Sequence, residues 1–178
     1  MHIRLRQMPL LLIAGLIAFP ATASDFVPFR ALIQTVPIPV GSCGDGCLEL
    51  DITGTGQATL MGRTEIQGPS QVDVTLREQT GTSTLTAANG DTLQIAFEGT
   101  VEFESPDPTG PVSFEGTWKV SGGTGRFEDS VGGGTYNGTA EGPAGTLLLV
   151  GRVSRPARTD EASLLRRPEP AVDAVDSN

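Results

Sequence analysis

The chain has 178 residues, among them 23 glycines and 13 prolines, with a formal net charge of −9 and one histidine, His2. An acidic surface argues against nucleic acid and anionic membrane as partners. With no histidine after His2, the body of the chain offers no Ser-His-Asp or Cys-His machinery, no histidine general base and no histidine metal ligand, which removes many ordinary hydrolases.

Residues 1–23, MHIRLRQMPLLLIAGLIAFPATA, set Arg4 and Arg6 ahead of an apolar run from Pro9 to Phe19 and end on Ala21-Thr22-Ala23. That order reads as a secretory signal cut after Ala23, so an exported protein is expected, periplasmic or extracellular. The apolar run is short for a bilayer and no later stretch is longer, so no membrane span is expected. Cleavage removes two arginines and no carboxylate, leaving a more acidic chain of one-domain size.

From Asp25 to Val40 the sequence predicts a strand interrupted by Pro28 and closed by Pro37 and Pro39, an edge or first strand, because proline cannot donate to a ladder. Cys43-Gly44-Asp45-Gly46-Cys47 follows. In an oxidising compartment these cysteines read as a disulfide pinning a turn; a redox or metal pair is the sharper alternative, for which the chain supplies no obvious further ligands. Leu48, Leu50 and Ile52 alternate with Glu49, Asp51 and Thr53, so a second strand is expected. Gly54-Thr55-Gly56 is followed by neither a helical pattern nor GK[ST], so it reads as a bend or bulge between strands rather than a nucleotide loop.

Val72, Val74 and Leu76 against Gln71, Asp73, Thr75 and Arg77 give the cleanest alternation in the chain, and Thr82 to Ala88 predicts another strand. Asn89-Gly90 then marks a two-residue hairpin turn that suits positive φ. Leu93, Ile95, Phe97, Val101 and Phe103 share one face of the next strand, with Gln94, Glu98, Glu102 and Glu104 opposite. Those carboxylates could serve acid/base work or calcium, but charges on the outside of a barrel wall are ordinarily just solvated. Ser105 to Pro111 is a turn or short loop by composition.

In Phe114 to Gly138, FEGTWKVSGGTGRFEDSVGGGTYNG, a strand with Val112, Phe114, Trp118 and Val120 on its inner face breaks at Gly122, Gly123 and Gly125. A second strand, punctuated by Gly132, Gly133 and Gly134, begins before Thr135 and Tyr136, as where a sheet curls tightly enough to close. Thr146 to Val153 predicts the last strand. Its run Leu147 to Val150 lacks alternation, as in a strand covered on both faces or an exposed strip used for self-association. From about Ser154 the pattern stops, and residues 155–178 read as a disordered tail.

With no convincing helical period, the expected class is all-β: a closed antiparallel barrel of about eight strands over residues 24–154, with a two-sheet sandwich as the alternative. The segment Gly122-Gly123-Thr124-Gly125-Arg126-Phe127, entered from a Trp-containing strand and followed by spaced glycines, resembles the GGTG-F segment of the allene oxide cyclase and dirigent barrel superfamily. More closely, the chain resembles small secreted bacterial proteins with that calycin-like barrel, which carry a turn like Ala87 to Leu93 and a segment like Gly56 to Arg63. The chain departs from them at Glu128, Asp129 and Ser130, where they have small residues.

An eight-stranded barrel either fills its interior with side chains or holds one small ligand. The expected inward set, Leu76, Leu93, Ile95, Phe97, Phe103, Phe114 and Trp118, is apolar, so a ligand would be a small hydrophobic molecule. Candidate ligand-binding residues are Phe97, Phe103, Trp118, Arg126 and Tyr136, with Arg126 expected to pair with a carboxylate such as Glu128. The resemblance implies a second reading, a cyclase-, isomerase- or dirigent-like enzyme that works by holding an intermediate in one geometry. A third is an envelope interaction protein with a filled barrel, or a homo-oligomer. No catalytic residue, cofactor or metal is assigned.

Overall fold

The computed structural model describes residues 26–104 and 110–154. Residues 1–25, 105–109 and 155–178, on which the expected signal peptide, most of the expected Ser105–Pro111 loop and the expected disordered tail fall, lie outside the described residues. The described chain is a closed antiparallel barrel of eight strands in sequential order: β1 (Phe26–Gly44), β2 (Cys47–Ala58), β3 (Gly62–Asp73), β4 (Glu78–Ala87), β5 (Thr92–Phe103), β6 (Val112–Gly123), β7 (Gly132–Glu141) and β8 (Ala144–Ser154). Closure comes from β1 pairing with β8 from Phe26↔Ser154 to Thr35↔Gly145. The only helical element among the described residues is a 3₁₀ turn, Gly125–Phe127.

Alternate residues face in and out all round, and the inner set is apolar: Phe29, Ala31 and Ile33 from β1, Leu85 from β4, Leu93 and Ile95 from β5, Leu149 and Val153 from β8 are buried. The outer faces of β3 to β6 carry residues such as Arg63, Glu65, Glu98, Glu115 and Lys119. Over β3 to β6 that alternation is the reverse of a lipid-facing barrel wall, whereas the outer faces of β1 and β8 expose Leu32, Val36, Ile38, Val40 and Val150. Among the described residues no helix is long and apolar enough to cross a membrane.

Five sequence expectations are corrected by the structure. β1 is continuous through its prolines and is not an edge. Arg30 directs both its N–H and its C=O to Thr59, so even-numbered residues of β1 face β2 and odd-numbered ones face β8. Pro28 lies beyond Ala58, the end of β2, and Pro37 and Pro39 lie beyond Thr35, where pairing with β8 stops. Each proline therefore sits where no partner needs its missing N–H. Gly54 and Gly56 are not a bend but inward positions of an unbroken β2, where a side chain would run into the β1 backbone.

The β3 alternation ends sooner than the pattern suggests. Asp73 accepts hydrogen bonds from the N–H groups of Thr75 and Leu76 at 2.8 Å each, which curls the chain into a turn and leaves Leu76 65% exposed rather than inward. The Asn89-Gly90 hairpin has a three-residue loop: Gly90 N–H donates to Ala87 C=O, Ala87 N–H to Asp91 C=O, and only Gly90 takes positive φ, at 89°. This is a type I turn followed by a left-handed glycine. The Leu147 to Val150 run resolves into ordinary alternation, with Leu147 and Leu149 facing in while Leu148 and Val150 face out beside Leu32 and Arg30 of β1.

Candidate functional site: a hollow barrel end

The two ends of the barrel are built differently. At one end Gly122-Gly123 closes β6 and Thr124 locks onto the β4–β5 hairpin, its N–H donating to Thr92 C=O at 2.9 Å while its hydroxyl accepts from Thr92 N–H at 3.2 Å. Gly125, at φ 61°, turns the chain where a side chain would collide with Asp91. The 3₁₀ turn then drops Phe127 into the barrel, fully buried, beside Met61 from the β2–β3 turn. Trp118 packs edge-on against Phe29 with ring centroids 5.5 Å apart and donates its indole N–H to Thr135 C=O at 3.0 Å. This end is plugged.

Arg126 belongs to that plug. Its Nε donates to Asp91 Oδ2 at 2.8 Å, so the carboxylate partner is Asp91 across the hairpin, not Glu128. A local i, i+2 partner would need both side chains on one side of the 3₁₀ turn, whereas Asp91 is presented by the loop packed against it. Hydrogen bonds from Asn89 and Arg126 hold the Asp91 carboxyl below the usual carboxylate range. Glu128 and Asp129 are exposed. The charged stretch that departs from the resemblance therefore lies outside the plugged end.

The other half of the barrel holds a cavity of about 480 Å³, within the roughly 300–1,000 Å³ of small-molecule sites. Among the described residues its rim is apolar or backbone, with Pro37, Pro39, Leu48, Gly110, Gly142 and Pro143. Leu50, Ile52 and Val72 form one wall; Phe97, Phe103, Val112, Phe114 and Leu147 form the other; Ile66, Ile95 and Leu149 form the floor towards the plug. Cys43 and Cys47 form a disulfide, Cα–Cα 5.1 Å, that fixes the β1–β2 turn at this end, and Val74 N–H donates to Gly46 C=O at 2.8 Å to tie that turn to the next.

Among the described residues no lysine, arginine, aspartate, glutamate or histidine lines the cavity, and the side chains that bring polar atoms to it are Thr35, Ser70, Gln79, Ser83 and Tyr136. Tyr136 and Gln79 are joined by a hydrogen bond of 2.6 Å from the Gln79 amide to the phenol oxygen. Tyr136, on β7, reaches Gln79 on β4 by lying across two intervening strands, and glycine makes this geometrically open. Tyr136 pairs with Gly116, Gly116 with Gly99 and Gly99 with Gln79, one row across four strands. A Cβ at Gly99 or Gly116 would come within 2.5 or 2.8 Å of the phenol oxygen. Phe97 meets the Tyr136 ring edge-on at 5.7 Å. Burial is the main cause that pushes the Tyr136 phenol above its ordinary pKa; the Gln79 hydrogen bond opposes this and the charge of Glu98 adds to it.

Of the residues singled out from sequence, Phe97, Phe103 and Tyr136 line the cavity together, while Trp118 and Arg126 sit at the plugged end. Gln79, Ser70 and Ser83 were not singled out. They sit at inward positions of strands whose sequences, GPSQV and EQTGTSTL, read as polar surface, and only their register turns them inside. No protein-family model, curated protein or solved structure matches the chain.

Proposed function

We propose that this is an exported binding protein that holds a small, largely apolar molecule in the hollow end of its barrel. The observation that carries this reading is the cavity itself: about 480 Å³ of space walled by aliphatic and aromatic side chains, with a handful of uncharged polar groups on its surface. A barrel filled by its own side chains would have no such space. Export is supported by the order of basic, apolar and small-residue segments in residues 1–23 and by the Cys43–Cys47 disulfide, which suits an oxidising compartment.

The test is native purification of the exported protein followed by mass spectrometry for a co-purifying small molecule, together with a thermal-shift screen of an apolar library. A stoichiometric apolar ligand, or saturable stabilisation by one, is the expected result. A ligand-free mass in every preparation with no shift from any compound would end the proposal. An intact mass that begins at Ser24 is the expected mark of export; a secreted product retaining residues 1–23 would overturn that part. The cyclase- or dirigent-like alternative would rest on holding a substrate in one geometry, since among the described residues Tyr136 is the one titratable side chain lining the cavity and its raised pKa keeps it protonated.

A further inference from the structure

Resting on the binding reading, the polar chemistry of the cavity narrows the ligand. Gln79 and Tyr136 are both more than nine-tenths buried and share one hydrogen bond. An amide and a phenol joined once leave both a donor and an acceptor whichever way the proton runs. With Gln79 Nε2 donating, the second amide N–H, the amide carbonyl and the phenol O–H stay free; with the amide turned over, the phenol donates to Oε1 and both amide N–H groups and the phenol lone pairs stay free. Either way at least one donor and one acceptor are offered side by side on the cavity wall.

Ser70 and Ser83 extend this patch. Ser70 pairs with Gly81, the inward residue between Gln79 and Ser83 on β4, so the two hydroxyls and the amide sit on adjoining inward positions of β3 and β4. Opposite them the wall is aromatic and aliphatic. The patch carries no formal charge of either sign, and among the described residues no cation lines the cavity to receive an anion. Burying an unpaired carboxylate is strongly unfavourable, whereas burying a hydroxyl or carbonyl that finds a donor and an acceptor is not. Glu98, on the outer face of β5, adds a negative field at the phenol that works against an anion there too.

We propose that Tyr136 and Gln79 are specificity-determining residues that select an apolar molecule bearing an uncharged hydroxyl or carbonyl group, and exclude the corresponding carboxylate. The row Tyr136–Gly116–Gly99–Gln79 is the device that builds this selection. Two strands give up their inward side chains so that a phenol from a third can lie along the wall and meet an amide on a fourth.

A ten-carbon series tests this with the full mature protein: displacement of the neutral dye Nile red by decanol, 2-decanone, decane and decanoate at pH 8, where decanoate is ionised. Decanol and 2-decanone are expected to bind at least about 100-fold more tightly than decanoate, whose charge would be buried without a cationic partner. Tyr136→Phe keeps the ring and is expected to weaken decanol about tenfold while leaving decane unchanged. Gln79→Met is the second variant and is expected to act in the same direction, so selectivity can be read even if one of the two fails to fold. Decanoate binding as tightly as decanol, or equal losses for decanol and decane in a folded variant, would overturn the selection while leaving the binding reading intact. Binding of neither dye nor any of the four compounds would overturn the binding reading itself.

Discussion

The two ends of this barrel share one pattern of alternation and reach opposite outcomes. At the plugged end, the three motif-bearing stretches converge. Met61 comes from the Gly56–Arg63 segment, Asp91 and Thr92 from the Ala87–Leu93 turn, and Thr124, Arg126 and Phe127 from the GGTG segment. At the hollow end the described turns carry no recurring motif, and the interior is left open over about 480 Å³. The memorable sequence signals therefore mark where the barrel is closed, and the site lies where the sequence is plain. Positive φ, tight backbone approach and a buried ring constrain residue identity sharply, whereas an apolar wall accepts any side chain of roughly the right volume.

Removing mass from each end should separate them. Trp118→Ala empties a packed position against Phe29 and removes the indole N–H bond to the Thr135 carbonyl, so a loss of about 3–5 kcal/mol in unfolding free energy is expected by denaturant titration. A loss under about 1 kcal/mol would mean that the plugged end is looser than its packing indicates. Next in size is the disulfide at the hollow end. Because it closes a loop of sequence separation 4, replacing both cysteines with serine should cost no more than about 2 kcal/mol, since the chain-entropy gain from so short a loop is small. A greater loss would show that the Cys43–Cys47 turn supports the whole rim.

The Arg126–Asp91 pair allows a comparison by pH. The Asp91 carboxyl is lowered in the folded protein, first by Asn89 and then by Arg126, so its stabilisation is complete above the unfolded carboxylate value of about 3.9 and is lost as pH falls through the folded value. Asp91→Asn should cost about 1 kcal/mol at neutral pH, as befits a partly exposed pair, and the gap between wild type and variant should close between about pH 5 and pH 2. A gap that stays constant to pH 2 would show that the carboxylate's charge contributes nothing to the plug. Smallest of all is Phe103→Leu, a wall residue facing space already empty. It should cost less than about 1 kcal/mol yet change Nile red affinity measurably, the reverse of a substitution at the plug.

How much of this was legible follows the same division. Period-2 alternation from Leu48 to Ile52 and from Leu93 to Phe103 was enough for strands, and glycine-rich turns with no helical period were enough for a barrel. Phe97 and Phe103 could be named as inward and aromatic, and Tyr136 as a polar candidate beside the glycine segment. Trp118 was equally inward, but its height along the barrel axis, which separates plug from cavity, is a property of register with β7 and β8 and not of its own strand. Arg126 faced the same difficulty, because its partner lies 35 residues away in the chain.

What the sequence by itself determined is the class of fold, the closing disulfide and the apolar character of the interior, because these depend on residue type and local spacing. Tertiary structure alone decided that one half is filled and the other hollow, and that Tyr136 meets Gln79 across 57 residues of sequence over two glycines. Barrel closure stacks residues by register, and register is fixed by all eight strands together.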